Sequence, residues 1–249
     1  MTAALDDVLR AVADRVPYLA ASVAGEGDDW IGCAALLSDP APLAAVIRGT
    51  KLGFETDDDG VAASLFAEAY AFRVGGIALA AYALDLPVPE LAPALVAVRI
   101  DKPRPSAVAY LGGEVRPLTA AALAAALIGA HLEPFVDAVH REFRVGARLL
   151  WGNVAAACAV AFRAVESSGA DRAAVRTRAN DFVAACAPWF EGLGEFTIVE
   201  AGGRDGWYWD RTSCCLWFRT ARGQLCDNCS LIDPSELRAR RERELAPPA

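Results

Sequence analysis

The chain has 249 residues and a net charge of −8, and 55% of its residues are hydrophobic. This length allows one large domain or two modest ones with a sizeable core, so the seven cysteines need not act as disulfide staples for a weak fold. The acidic balance argues against general binding to nucleic acids or anionic membranes, because both require a basic face.

The N-terminal residues predict a cytoplasmic protein. Residues Met1–Arg10 include Asp6 and Asp7 and lack the basic and apolar regions of a secretory signal. The longest nearly apolar run, Leu118–Ala130, is too short to cross a bilayer and suits a buried helix. We therefore expect no transmembrane segment and a location in the cytoplasm, either free or peripheral to the inner face of the membrane.

Residues 1–189 predict a mostly helical body with a short β element near residues 95–111. Apolar residues recur at helical spacing from Leu5 to Val16 and stop before Pro17, which favours a first helix there. The strands are predicted at Leu95–Ile100 and Ala107–Leu111. Further helices are predicted at Val61–Leu84, at Thr119–Ala130, at Pro134–Glu166 as a separate helix or a continuation, and at Asp171–Ala187 with Asp171 as N-cap.

Residues 190–249 predict a second unit, a glycine-rich C-terminal module. Glycines break this stretch into short β-like runs, which is typical of a small irregular metal-binding fold. The predicted fold class of the whole chain is therefore mainly α with a small β component. Within the module we predict strands at Phe196–Val199 and Trp207–Trp209, hairpin arms at Leu216–Phe218 and Gln224–Cys226, and a solvent-exposed charged helix at Pro234–Leu245.

Four of the seven cysteines lie within sixteen residues of this module. Clustered thiolates are soft ligands that select zinc, copper(I) or iron–sulfur clusters. In a reducing cytosol such a group indicates metal or redox chemistry more often than disulfides. The four residues have the spacing C-C-x10-C-x2-C and are Cys214, Cys215, Cys226 and Cys229.

The adjacent pair Cys214-Cys215 distinguishes between these metal sites. A structural zinc ion usually takes two C-x2-4-C arms, and neighbouring residues of an extended segment point to opposite sides. A two-iron cluster offers two metal centres and tolerates such a backbone, although the spacing differs from that of plant-type ferredoxins. The spacing favours an iron–sulfur cluster and leaves a structural zinc site, a vicinal disulfide or free thiols open.

The stretch Asp210–Cys229 resembles the C-terminal signature of the FhuF-type ferric siderophore reductases, which are small [2Fe-2S] proteins. Upstream, Leu150–Ala155 resembles the helical Trp-Gly-Asn segment of the same family, whereas the first ninety residues show little resemblance. The resemblance implies that the four clustered cysteines bind a [2Fe-2S] cluster. Besides Cys214, Cys215, Cys226 and Cys229, it rests on Arg211, Ser213, Trp217, Arg219 and Leu231.

The same resemblance implies a ferric siderophore reductase. Its cluster would pass one electron to siderophore-bound Fe(III), and hard oxygen ligands hold the resulting Fe(II) loosely, so that reduction leads to release. The sequence shows no Rossmann fingerprint and no P-loop, so we expect an external electron donor such as a ferredoxin or a flavin reductase. The net charge of −8 favours neutral or cationic ferric hydroxamates as substrates.

Two other functions stay open at this point. One is a zinc-stapled binding module without redox activity. The other is an iron–sulfur sensor or carrier with a protein partner. Metal and sulfide analysis distinguishes the first from the reductase, because a zinc protein contains no acid-labile sulfide.

Candidate substrate-binding residues lie beside the cysteines and near the Trp-Gly-Asn segment. Trp207 and Trp209 offer an apolar shelf for a siderophore, with shielding or core packing as the alternative use. Arg211 and Arg219 are candidates for stabilising the reduced, more negative cluster. Arg148 lies on a predicted continuous helical face that begins at His140. No catalytic residue is expected beyond the cluster.

The remaining cysteines and both histidines are predicted to be structural. Cys33, Cys158 and Cys186 stand alone in alanine-rich stretches, which is typical of buried inert thiols. His131 and His140 lie on apolar helices far along the chain from the clustered cysteines.

Overall fold

The computed structural model describes residues 2–23, 29–101 and 103–246. Helices dominate these residues and strands form a small part, so the predicted fold class is confirmed. A π-helical stretch, Ala124–Leu132, joins α5 to α6, and 3-10 turns lie at Pro17–Leu19, Pro93–Leu95 and Trp217–Arg219. The helices are α1 (Thr2–Arg15), α2 (Cys33–Ser38), α3 (Pro40–Gly53), α4 (Asp59–Ala83), α5 (Ala120–Leu123), α6 (Glu133–Phe143), α7 (Ala147–Ser167), α8 (Arg172–Ala185), α9 (Ala187–Phe190) and α10 (Pro234–Leu245).

The strands of the described residues are β1 (Ser22–Val23), β2 (Trp30–Gly32), β3 (Val88–Pro89), β4 (Val96–Asp101), β5 (Arg104–Tyr110), β6 (Val115–Arg116), β7 (Gly194–Ala201) and β8 (Arg204–Arg211). The largest sheet has the order β1-β5-β4-β2, and only its β1–β5 pair is parallel. Two antiparallel pairs, β3–β6 and β7–β8, form separate two-stranded sheets.

Helices α4 and α7 form the centre of the fold. Asp58 caps α4, since its Oδ1 accepts hydrogen bonds from the backbone N–H groups of Gly60 and Val61 at 2.8 and 3.1 Å. Most residues of α4 and α7 are buried, and the two helices pack along each other. A helix that is apolar on nearly all faces is stable only when neighbours surround it. The alanine-rich sequence of both helices meets that requirement by allowing close approach.

Three helical stretches are long and apolar enough to cross a membrane by length and composition alone: α4, Ala120–Phe143 and α7. The longest nearly apolar run in the sequence, which ends at Ala130, predicted no such stretch because it is too short to cross a bilayer. The most apolar windows of the three stretches are 78%, 56% and 67% buried within the protein, in chain order. Their apolar side chains therefore pack mainly against other parts of the chain.

The predicted helix Pro134–Glu166 is wrong as one element. Helix α6 ends at Phe143 because Arg144 adopts a left-handed φ of 54°, and its N–H caps the helix through the His140 carbonyl at 2.9 Å. The His140 ring also bonds the Val145 carbonyl at 2.7 Å and closes the turn. Because α7 restarts in a new direction, Arg148 does not share a helical face with His140.

The strands β7 and β8 form a hairpin that is longer than the two strands predicted from the sequence. A two-residue turn joins them, and its residues Gly202 and Gly203 have φ values of 59° and 73°, which glycine adopts without strain. Trp207 and Trp209 project from β8 into the same hydrophobic core as the helices. The division of the chain near residue 190 stays a prediction, although its two sides share this core.

The C-terminal helix α10 is less exposed than the sequence predicted. Its Arg241 is only 5% exposed, lies over the Tyr208 ring at 4.5 Å from the centroid, and pairs with Asp210 at 2.5 Å. One face of α10 is therefore anchored on the β7–β8 hairpin, while Arg238 and Arg240 pair with glutamates on its exposed face.

Candidate metal centre

All four predicted ligand cysteines lie between β8 and α10, in residues 212–232, which we call the cysteine segment. This segment contains no strand, and its single helical element is the 3-10 turn Trp217–Arg219. The predicted hairpin arms at Leu216–Phe218 and Gln224–Cys226 are therefore wrong. The chain here is held by side chains and turns instead of a sheet ladder.

The loop between the two halves of the cysteine motif folds back on itself. Thr220 Oγ1 donates to the Trp217 carbonyl at 3.0 Å, and the Gly223 N–H donates to the Thr220 carbonyl at 3.0 Å. A Cβ atom at position 223 would lie 1.8 Å from the carbonyl oxygen of Trp217, so this approach requires glycine. The compact loop returns Cys226 to the neighbourhood of Cys215.

The four cysteines form two pairs, Cys214 with Cys229 and Cys215 with Cys226, whose thiols lie within hydrogen-bonding reach of each other. The Cys229 N–H donates to the Cys226 carbonyl at 3.0 Å, which is the tight turn expected of a C-x2-C knuckle. Cys215 and Cys229 are 6% and 1% exposed, whereas Cys214 and Cys226 are half-buried. Each pair thus has one shielded member and one member nearer to solvent.

The hydrogen bond between Cys215 and Cys226 shifts the pKa values of the two thiols in opposite directions. The hydrogen bond with Cys226 lowers the pKa of Cys215 to about 7, and the nearby Arg211 acts in the same direction. That bond raises the pKa of Cys226, and burial raises the pKa of Cys214. The thiolate is the metal-binding form of cysteine, and Cys215 loses its proton more readily than Cys214 or Cys226.

Backbone N–H groups point at the sulfur atoms of the adjacent cysteines. Leu216 donates to Cys214 Sγ at 3.3 Å, and the N–H of Trp217 bonds the Cys215 thiol. This arrangement requires a left-handed φ of 70° at Leu216, which a residue with a Cβ adopts only at a cost in strain. In iron–sulfur proteins, donors to sulfur stabilise the negative charge and affect the reduction potential.

Arg211, at the end of β8, connects the cysteine segment to the helical body. The residue is 5% exposed. Its Nε donates to the Ser213 carbonyl at 2.6 Å, its Nη1 donates to Glu68 on α4 at 3.1 Å, and its Nη2 donates to Asn153 on α7. Burial raises the pKa of Glu68, and the charge of Arg211 opposes that shift. The guanidinium therefore brings a positive charge to the cysteines and is itself held by both central helices.

Asn153 and Ser64 hold the segment from the opposite side. Asn153 Nδ2 donates to the Ser64 carbonyl at 3.0 Å and to its Oγ at 2.9 Å, and Ser64 Oγ donates to the Cys215 carbonyl at 2.9 Å. Both side chains are fully buried. A continuous chain of buried hydrogen bonds therefore runs from Arg211 through α7 and α4 to Cys215, one of the candidate ligands.

Gly152 allows the cysteine segment to lie directly on α7. A Cβ atom at this position would lie 1.8 Å from Ser213 Oγ and 3.0 Å from its Cβ. The neighbouring Trp151 packs near Trp189, with ring centroids 6.5 Å apart. Each residue of the Trp-Gly-Asn segment thus has a structural role: packing, close approach, and hydrogen bonding by Asn153.

A cavity of about 630 Å³ opens beside the pair of Cys215 and Cys226, both of which line it. Its wall combines aromatic side chains with three arginines and Glu68. The cavity reaches from the cysteine segment across α4 to the beginning of β5. The lining residues that matter below are Phe54, Phe72, Arg73, Arg104, Arg211 and Trp217.

The four candidate substrate-binding residues have different environments in the structure, and only one of them lines the cavity. Arg211 lines the cavity. Trp207 and Trp209 are 3% and 1% exposed; Trp207 stacks on Phe196 and Trp209 meets it edge-on, so the geometry supports core packing over an open shelf. Arg148 donates to the Gly192 carbonyl at 2.7 Å, which ties α7 to the loop before β7.

Several residues of the site were missed by the sequence analysis. Ser64 and Glu68 lie on α4, and Arg73 follows them on the same helix, in a region that resembles the family weakly. Arg104 lies at the start of β5. A periodic apolar pattern predicted α4 as a helix, but it gives no signal for which of its polar residues face a partner 150 positions away.

The predictions for the isolated cysteines and for His131 are confirmed. Cys33, Cys158 and Cys186 are fully buried, and burial raises the pKa of each thiol, to about 12 for Cys33 and Cys186. His131 is fully buried between the Tyr70 hydroxyl at 2.8 Å and the Leu91 carbonyl at 2.7 Å. These groups pack the core away from the cysteine segment.

Comparison with known protein families identifies the segment. Residues 211–231 match the FhuF 2Fe-2S C-terminal domain. The predicted resemblance is confirmed over this stretch, and the FhuF-type domain supports a [2Fe-2S] cluster as the cofactor. A search of curated proteins gave no match to the chain.

The residues present fit the cluster that the FhuF-type domain implies. Four thiols in two pairs suit a cluster with two irons, each of which takes two protein ligands. The buried Ser213 Oγ has no hydrogen-bond partner among the described residues and directly precedes Cys214, so it is free to donate to a group bound there. The four thiols lie as two separate pairs, and among the residues that the structure describes no three His, Cys, Asp or Glu side chains converge closely enough to hold a single metal ion.

Proposed function

We propose that the protein is a ferric siderophore reductase, which passes one electron from its [2Fe-2S] cluster to siderophore-bound Fe(III) and releases Fe(II). One observation carries the proposal: Cys215 and Cys226 stand in the wall of a 630 Å³ cavity. That volume lies in the range of sites for small molecules, so a chelate can dock against two of the four candidate ligand cysteines.

The electron balance is simple. When bound, the cluster supplies one electron at a time, and ferric iron needs one electron to become ferrous. No protein bond forms or breaks, and no general acid or base is needed. Fe(II) is larger and less charged than Fe(III), so oxygen ligands hold it less tightly and a ferrous acceptor can remove it.

The side chains of this protein have two tasks in that reaction. Phe54, Leu65 and Trp217 pack around Cys215 and Cys226, so they exclude water from one side of the candidate ligands. Arg211 places a positive charge near the thiolates, which favours the reduced and more negative state. We also propose that the protein works in the cytoplasm with an external donor such as a ferredoxin or a flavin reductase.

A stopped-flow experiment tests the proposal. Chemically reduced, cluster-loaded protein is mixed without oxygen with a ferric trihydroxamate and a ferrous trap, and the visible spectrum of the cluster is followed. We expect reoxidation that depends on chelate concentration, with Fe(II) in the trap, and no steady turnover with NADH or NADPH alone. If neutral, cationic and anionic chelates all fail to reoxidise the cluster faster than buffer, the reductase function is excluded and the sensor or carrier function replaces it.

A further inference from the structure

The cavity beside Cys215 and Cys226 carries two arginines that the proposed function does not yet use. Arg73 projects from α4, where its Nη1 donates to the Tyr18 carbonyl at 2.6 Å and its guanidinium lies 5.9 Å from the centroid of the Phe72 ring. Arg104 is exposed at the start of β5. Both line the cavity, so both present positive charge to whatever enters it.

These two arginines differ from the other arginines near the cysteines in having no acidic partner among the described residues. Arg211 pairs with Glu68 at 3.1 Å, Arg219 with Asp58 at 3.0 Å, and Arg222 with Glu55 at 2.7 Å. Glu68 is the acidic residue of the cavity wall, and Arg211 already balances it. The cavity wall therefore has a net positive charge, which comes from Arg73 and Arg104.

The two guanidinium groups also lie close enough to repel each other. Burial lowers the pKa of Arg73, and the charge of Arg104 lowers it further. Like charges that face one cavity without a counter-ion are a costly arrangement in an apoprotein. A negatively charged guest relieves that cost, which gives the pair a physical reason to select its ligand.

The sign of this local field is opposite to that of the whole chain. The net charge of −8 predicts repulsion of anions at long range. Salt screens exposed charges beyond about 10 Å at 0.1 M ionic strength, whereas charges that line a cleft act on the guest directly. The arginines of the wall, and not the acidic surface, therefore set the charge preference once the ligand has entered.

We infer that this cavity selects ferric chelates that carry a negatively charged pendant group, which Arg73 and Arg104 bind while the iron centre faces Cys215 and Cys226. The inference rests on the proposed function and deepens it. It replaces the preference for neutral or cationic hydroxamates that the net charge suggested, and it leaves the type of iron-binding oxygen group undecided.

One chelator series tests this inference without changing the iron centre. A linear trihydroxamate with a pendant amine gives a cationic complex, its acetylated form gives a neutral complex, and its succinylated form gives an anionic complex. Each is prepared with Ga(III), which matches Fe(III) in charge and is not reduced, and with Fe(III). Binding of the Ga(III) complexes to oxidised, cluster-loaded protein is measured by calorimetry, and reoxidation of reduced protein by the Fe(III) complexes is measured by stopped flow.

We expect the anionic Ga(III) complex to bind about tenfold more tightly than the cationic one, with the neutral complex between them. The order of the reoxidation rates at low chelate concentration should be the same. Arg104→Gln should reduce the difference, Arg73→Gln should reduce it further, and Arg73→Lys should restore part of it. Arg116→Gln removes the same charge from an exposed residue outside the cavity and should change nothing.

The possible results distinguish a failure of the anion-site inference from a failure of the proposed reductase function. Equal binding of the three Ga(III) complexes, tighter binding of the cationic one, or no binding at all overturns the inference. Charge-selective binding with no reoxidation by any Fe(III) complex excludes the reductase function but supports the anion site. If the Arg73 and Arg104 variants shift the midpoint potential of the cluster and leave selectivity unchanged, the pair only balances the cluster charge and the inference fails. The visible spectrum of each variant shows that the cluster is intact.

Discussion

The helical body and the cysteine segment are held together by different forces. The body buries large side chains completely, such as Phe66 on α4 and Phe162 on α7. The cysteine segment has no sheet ladder and only a small apolar contact, in which Cys215 packs on Val61 and Leu65. Its position depends instead on a few buried hydrogen bonds and on the ligand that its thiols bind. The body can therefore be stable by itself, whereas we expect the segment to depend on the ligand that its thiols bind.

The largest expected effect comes from the thiols of the segment. We expect Cys→Ser at 214, 215, 226 or 229 to remove or strongly destabilise the cluster, because a hydroxyl replaces a soft thiolate ligand. Alanine at Cys33, Cys158 or Cys186 should leave the visible spectrum unchanged. Iron, zinc and acid-labile sulfide are measured on protein purified without oxygen from iron-replete cells. Stoichiometric zinc without sulfide in the wild-type protein would contradict the [2Fe-2S] assignment.

Removal of the cluster should affect the two regions unequally. Metal binding and local folding are coupled, so the backbone amides of residues 212–232 should lose most of their protection from hydrogen exchange in cluster-free protein. The amides of α4 and α7 should keep theirs. Strand β8 pairs with β7 along its whole length, so the loss should begin after Arg211. Equal loss along the whole chain would show that the body depends on the cluster as well.

Asn153→Ala tests the hydrogen bonds that join the regions. The variant removes one buried hydrogen-bond partner from Arg211 and one from Ser64, and we expect it to lower the free energy of unfolding by about 3 kcal/mol and to speed cluster loss. Denaturant unfolding and the decay of visible absorbance measure the two effects. Asn180→Ala, on the exposed face of α8, is the matched control and should change stability by less than about 0.5 kcal/mol. A small effect of Asn153→Ala would mean that apolar packing alone positions the segment.

The smallest effect concerns the body alone and depends on pH. Burial lowers the pKa of His131 to about 4, while an unfolded histidine titrates near 6.5. Between these values the unfolded state binds more protons, so stability falls as pH falls, by about 2 kcal/mol from this residue at pH 5. His131→Gln should remove that part of the pH dependence. Identical slopes for wild type and His131→Gln, in unfolding at pH 5 to 7, would exclude the assignment.

The structural features that depend on local sequence patterns could be predicted from the sequence. The cap at Asp171, the strands on either side of Pro103 and the cysteine spacing can all be recognised within a few residues of the chain. The break at Arg144 was missed because a left-handed residue without glycine or proline gives no local signal. The site around the cysteines was missed for another reason. Ser64, Glu68 and Arg73 reach it through packing of α4, which no local pattern reports.

The hydrogen bond between Ser64 and the Cys215 carbonyl joins two residues that the ribosome makes at different times, because they are 151 positions apart. At translation rates of roughly 5–20 residues per second, the ribosome makes Cys215 roughly 8–30 s after Ser64. Helices α4 and α7 are synthesised before any of the candidate ligand cysteines. The surface on which the cysteine segment packs thus precedes the thiols along the chain, so a preformed helix pair can receive those thiols when they are made.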